Sequence, residues 1–365
     1  MTVSLESPRS QEPIANSPKS SGRLIYADIL RALAIVQVVY VHSVAPFMPS
    51  LAQKSGWWAC LIPEVLGRAS VPLFIMLSGL FLFQTEEVSL SRFLRKLFNR
   101  ILLPLVVWSG IYLLWSQYMT GTAVTGYRCL QLLQIPAYYH LGFMYFLTGL
   151  YLAAPILRPF VRSATKSDYV YFAALWLINA SVPLFCKLTG VWMELYFVVF
   201  TNLTAYFIVG YGLRNVSVPK QNRLLLWLML VTSCVVSGIG TYLLTAQNKN
   251  QFDPLLIESA SPTIFVYSVA TFVLVKSLNW ESLKAKHPTL VQFFSATGGM
   301  AYSIYLLHPI VLDLCLKLHW NKIFTRTGFG WTSLKTFIVF VVAFSLTWLC
   351  VRIAKLLKAP SWIFP

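Results

Sequence analysis

Three ionisable side chains interrupt the first long apolar run of the sequence. They are Asp28, Arg31 and His42, in Asp28-Ile29-Leu30-Arg31-Ala32-Leu33-Ala34-Ile35-Val36-Gln37-Val38-Val39-Tyr40-Val41-His42. Arg31 and His42 are eleven residues apart, which on a helix is roughly three turns plus 20°, so the two point the same way about 16 Å apart along the axis. Asp28 lies one turn before Arg31 and can neutralise it. A charge at that depth costs about 2.5–3.5 kcal/mol or more unless it faces protein or water, so the remaining helices are expected to hide this face. A second histidine, His308, sits inside another apolar run, Ser303-Ile304-Tyr305-Leu306-Leu307-His308-Pro309. An imidazole in such a place can act as a base or a nucleophile, or bind a metal. No carboxylate or cysteine stands at a spacing that would make the histidines a metal site.

The elements that must position these groups are membrane helices. Of 365 residues, 57% are hydrophobic and 11% charged, and the mean hydropathy is +0.66. A soluble domain carries about 25% charged residues, so the chain is read as an all-α, polytopic membrane protein. Ten runs are long enough to cross, at about 24–45, 58–83, 101–118, 141–161, 169–186, 195–213, 223–245, 260–280, 297–316 and 333–354. With the N-terminus inside, 19 Lys and Arg fall on the cytoplasmic side and nine on the other, so both termini are expected in the cytoplasm. The last outer loop, with Lys317, Lys322, Arg326 and Lys335, runs against that bias. The Ser/Pro-rich residues 1–22 read as a disordered cytoplasmic tail, residues 23–358 as the transmembrane domain and 359–365 as a short C-terminal tail. The net charge of +17 is carried by short loops, as topology signals are, and does not indicate nucleic acid. The six scattered cysteines read as structural thiols.

Three further stretches carry polar groups. Glu64 and Arg68 form an i,i+4 pair near the outer end of the second span, followed by Val71-Pro72-Leu73-Phe74 and Ser78-Gly79. That segment reads either as a kinked helix with a small-residue packing face or as a place where a ligand approaches. Arg92, Arg95, Lys96 and Arg100 alternate with Phe and Leu, as in a helix on an anionic membrane surface or in a phosphate-binding patch. Tyr138-Tyr139-His140 sits at an outer edge, where an aromatic belt is the ordinary reading.

Taken in order, Asp28-x2-Arg31-x10-His42, Val71-Pro72-Leu73-Phe74-x3-Ser78-Gly79, Arg100-Ile101-x2-Pro104, Tyr139-His140-Leu141-x-Phe143 and Ser303-Ile304-Tyr305-Leu306-x-His308 resemble the acyltransferase 3 family of integral-membrane acyltransferases. The nearest resemblance is to the branch of enterobacterial common antigen O-acetyltransferases and intercellular-adhesin modification proteins. The resemblance implies a ten-helix multi-pass protein of the cell (inner or plasma) membrane. It would move an acetyl group from cytoplasmic acetyl-CoA to a sugar hydroxyl of an extracytoplasmic or lipid-linked glycan. It implies His42 as the catalytic histidine with Arg31 as its partner; on the chemistry of the side chains, His308 and Tyr305 would then orient the acceptor or stabilise the oxyanion. Arg31, Ser78, Arg95, Lys96 and Arg100 would bind acyl-CoA, while Glu64, Arg68, His140 and Tyr305 would bind the acceptor. Some members place two arginines one residue apart in the basic cluster; here Phe98-Asn99-Arg100 lacks the first, leaving Arg95 or Lys96 to substitute. The expected partners are acyl-CoA, a glycan and the lipid bilayer, with no permanently bound cofactor and no metal. The competing reading is a secondary transporter or flippase, because buried Arg, Glu and His in kinked helices also mark transport paths. Saturable acetyl-CoA binding separates the two.

Overall fold

The computed structural model describes residues 24–48, 52, 54–85, 89–194, 203–317 and 328–365. Among them the chain is helical and holds no strand. Its α-helices are α1 (Ile25–Val44), α2 (Trp58–Gly67), α3 (Ser70–Gln84), α4 (Leu90–Leu97), α5 (Leu103–Thr120), α6 (Gly126–Gln131) and α7 (Gly142–Ser163). They continue as α8 (Lys166–Thr189), α9 (Thr204–Gly212), α10 (Arg223–Gln247), α11 (Pro262–Ser277), α12 (Trp280–Lys286), α13 (Pro288–Lys317) and α14 (Phe329–Leu356).

Nine helical stretches among the described residues are long and apolar enough to cross a membrane, in line with the expected all-α polytopic class. They match nine of the ten expected spans. The sixth, at 195–213, is described only from residue 203, where α9 occupies Thr204–Gly212. The tail expected at 1–22 and most of the basic loop holding Lys322 and Arg326 also lie outside the described residues.

The hub is α1. It packs against α13 most extensively, and against α3, α2, α14 and α11, so the face carrying Arg31 and His42 is turned toward protein, with the Arg31 side chain still 33% exposed. Close approach at the Arg31 end depends on Gly298 of α13, where a Cβ would lie 2.0 Å from the Asp28 carbonyl oxygen. Where α3 crosses α9, a Cβ on Gly79 would meet the Phe207 carbonyl oxygen at 1.8 Å. The Ser78-Gly79 pair therefore serves helix packing at its glycine. By contrast, α8 and α10 have little buried surface, and their flanks carry exposed Val170, Ile178, Leu224 and Leu228, as expected where lipid is the neighbour. Beyond α14 the chain folds back into the bundle. Trp108 Nε1 donates to the Ile363 carbonyl at 2.8 Å, and Ser303 Oγ to that of Pro365 at 2.7 Å.

Candidate active site

Chemistry at the centre of the bundle starts from a proline. Pro309 lies inside α13 and has no N–H, so the Tyr305 carbonyl one turn back has no intrahelical donor. His308, which is fully buried, takes up that acceptor: its Nδ1 lies 2.7 Å from the Tyr305 oxygen and 3.2 Å from that of Ile304. A carbonyl only accepts, so His308 Nδ1 carries the proton and Nε2 the lone pair. His308 Nε2 in turn lies 2.8 Å from His42 Nδ1, with the two rings stacked at 5.1 Å and 14°. His42 Nδ1 must therefore donate, and His42 Nε2 is left with a bare lone pair. Carbonyl, His308 and His42 form one directed relay that ends in a base.

Aromatic groups enclose the relay. Tyr139 meets the His42 ring edge-on at 5.0 Å, and His140 meets His308 at 5.6 Å. Both residues sit in a short 3-10 turn, Tyr139–Leu141. Four hydrogen bonds hold that turn and its surroundings. Tyr305 donates its hydroxyl to the His140 carbonyl, Tyr112 donates to the Leu306 carbonyl at 2.7 Å, and Asp313 Oδ2 accepts from Tyr138 and Trp115 Nε1 at 2.7 Å each. The Tyr305 hydroxyl is thus spent on the backbone rather than pointed at a ligand. Neither ring nitrogen of His140 makes a well-formed hydrogen bond, although the Leu306 backbone acts on the ring.

At the other end of the α1 face, Arg31 Nη1 bonds Asp28 Oδ1 at 2.9 Å and stacks over Phe81 at 4.8 Å. Ser78 and, through their charges, Arg100 and Arg31 act on Tyr151. Arg95 and Lys96 are exposed on α4. A π-turn at Phe98–Leu102 joins α4 to α5 and carries Arg100. An aromatic row runs from Tyr151, which acts electrostatically on Tyr302, through Tyr302 to Tyr305, stacked on Tyr302 at 6.4 Å and 6.2 Å from His308.

Near His42, α2 stops and α3 begins, with Arg68 and Ala69 between them. Pro72 falls in the first turn of α3, where a missing N–H costs nothing. Gly67 is pressed onto α1: a Cβ there would lie 2.1 Å from Val41 Cγ2. The exposed carbonyl of Leu66 is capped by Tyr267 at 2.7 Å and Gln37 Nε2 at 2.9 Å. Arg68 and Glu64 pair directly, yet Arg68 Nε and Glu64 Oε2 remain buried without partners. A cavity of about 280 Å³ lies elsewhere, between α8 and residues 255–262, and is lined by neither histidine.

Sequence reasoning singled out His42, His308, Arg31 and Arg68. It passed over Asp313, Tyr112 and Trp115, although an acid inside the ninth apolar run was a visible signal.

A base-ended histidine relay in an all-helical membrane bundle is chemically suited to proton transfer. A family model described as an acyltransferase domain matches residues 24–352, and the chain belongs to this acyltransferase 3 family. No curated protein and no solved structure matches the chain. The molecule is thus a multi-pass membrane acyltransferase.

Proposed function

We propose that this acyltransferase moves an acetyl group from cytoplasmic acetyl-CoA to a sugar hydroxyl of an extracytoplasmic or lipid-linked glycan, at the cell membrane. The observation that carries the reading is the relay that leaves His42 Nε2 unprotonated. The acceptor hydroxyl gives its proton to that nitrogen while its oxygen adds to the thioester carbonyl carbon. When the tetrahedral adduct collapses, the C–S bond breaks and the CoA thiolate recovers the proton from His42. His308 keeps the His42 tautomer fixed throughout, as a base-orienting partner does.

Donor and acceptor arrive from opposite ends. Arg31, Arg95, Lys96 and Arg100 supply cations for the CoA phosphates, with guanidinium forks suited to phosphate geometry. The row Tyr151, Tyr302, Tyr305, with Ser78 beside it, offers an amphipathic wall for the pantetheine arm. Glu64 and the His140 ring are suited to a polar sugar. The choice of acetyl and glycan rests on the resemblance to the enterobacterial common antigen branch, and the orientation on the distribution of Lys and Arg.

The test is radiolabelled acetyl transfer from acetyl-CoA to cell-envelope glycan by protein in lipid nanodiscs. His42→Ala is expected to lower turnover about a hundred- to ten-thousandfold. Undiminished turnover would falsify the role of His42. An acetylated His42 trapped from acetyl-CoA alone would replace the general-base step with a covalent one.

A further inference from the structure

A tetrahedral adduct carries a full negative charge on oxygen, and the relay supplies no donor for it. His308 uses Nδ1–H on two carbonyls and its Nε2 on His42. Tyr305 and Tyr112 give their hydroxyl protons to backbone oxygens. In a site this enclosed, stabilisation of that oxygen is a large share of the rate.

Arg68 stands at the right level. Gly67, its neighbour, touches Val41, the residue before His42. The same level follows from the far end of the helix pair. Phe81 of α3 lies under Arg31 of α1, and α3 runs back from there toward Arg68. The thirteen residues from Phe81 to Arg68 span about 20 Å, against about 16 Å from Arg31 to His42. The helix break leaves the Arg68 side chain at the N-terminal end of α3, which itself favours negative charge. Arg68 Nε is buried and has no partner, and the Glu64 carboxylate below it, whose side chain is 4% exposed, has one oxygen with no partner. The charge of Arg68 reaches the His42 ring.

We propose that Arg68 is a catalytic residue of this acyl transfer: its guanidinium, at the N-terminal end of α3, holds the oxyanion formed on the thioester carbonyl, and Glu64 holds the guanidinium in place between turnovers. The electron pair of the carbonyl π bond goes to that oxygen as the acceptor C–O bond forms, and returns as the C–S bond breaks. The proton meanwhile stays on His42. This rests on the acyl-transfer reading above, and it gives Arg68 a role at the reacting carbonyl rather than at the sugar.

Thiol release from acetyl-CoA in nanodiscs without glycan, with water as the acceptor, separates the roles, because a sugar grip cannot affect hydrolysis. The double variant Glu64→Gln with Arg68→Gln leaves no lone buried charge. It is expected to lower thiol release roughly a hundred- to thousandfold while acetyl-CoA binding, which also reports folding, stays unchanged. Guanidinium ion added to Arg68→Ala is expected to restore part of the rate. Wild-type thiol release in the double variant, with transfer to envelope glycan lost, overturns the assignment. So does a double variant that no longer binds acetyl-CoA if guanidinium also fails to rescue Arg68→Ala. The control is His42→Ala: should it release thiol as fast as wild type, the base assignment falls, independently of the result at Arg68.

Discussion

Two ion pairs, one on α1 and one where α2 gives way to α3, at first look alike. Asp28–Arg31 and Glu64–Arg68 each put an acid about one turn before an arginine. Each acid side chain is 4% exposed, and the arginines are 33% and 27% exposed. They differ in what is left unspent. Arg31 sits within the continuous helix α1, stacked on Phe81, and no buried polar atom of that pair lacks a partner. Arg68 sits at a helix break, and its pair leaves a buried donor and a buried acceptor open. Equal burial and equal charge therefore do not mean equal hydrogen-bond satisfaction. A buried polar atom without a partner is costly, and that cost is tolerated where a substrate completes the bond.

Substitutions that treat the two pairs identically should separate them. The largest expected effect is at the break, where loss of the Arg68 guanidinium acts on kcat as set out above. Arg31→Gln is expected to raise KM for acetyl-CoA about tenfold, an effect of the size of one lost charged hydrogen bond, with kcat within about threefold of wild type. Steady-state kinetics with varied acetyl-CoA reads this split, and a kcat loss as large as that at Arg68 would erase the contrast. Phe81→Leu removes the cation–π contact beneath Arg31. That contact contributes about 0.5–1 kcal/mol, so KM for acetyl-CoA should rise about two- to fivefold, and a change in kcat alone would count against the assignment. The smallest effect is expected for Gln37→Leu, which removes one of two donors to the Leu66 carbonyl at the break. It should lower kcat a few-fold with KM for acetyl-CoA unchanged, and a shift in that KM instead would tie Gln37 to the donor path.

Much of the architecture was legible in the sequence because the bilayer reduces the problem to apolar length and the placement of charge. The helical period alone put Arg31 and His42 on one face. The isolated His308 in an apolar run was legible as a buried polar group that needs a partner, but its pairing with His42 was not. The direction of the relay was not legible, because it depends on which carbonyl Pro309 releases and which ring nitrogen reaches it. Pro72 was read as a mid-helix kink, whereas the structure opens the helix at Arg68 and Ala69 so that Pro72 falls in a first turn. Tyr305 was expected near the acceptor, but its hydroxyl goes to the His140 backbone. That choice is made by tertiary contact, which no local pattern encodes. Asp313 was visible as an acid in an apolar run, but its two donors come from residues about 175 and 198 positions away.

The five-residue turn at Phe98–Leu102 amounts to one residue more than α-helical geometry can use. Removing Asn99 would let the ladder close in ordinary register and swing α4 by about 100° around the axis of α5. Phe93 and Leu97, now buried, would turn outward, and Arg95 and Lys96 would change sides. The surplus residue works as an indexing notch that sets which side of the basic helix looks into the protein.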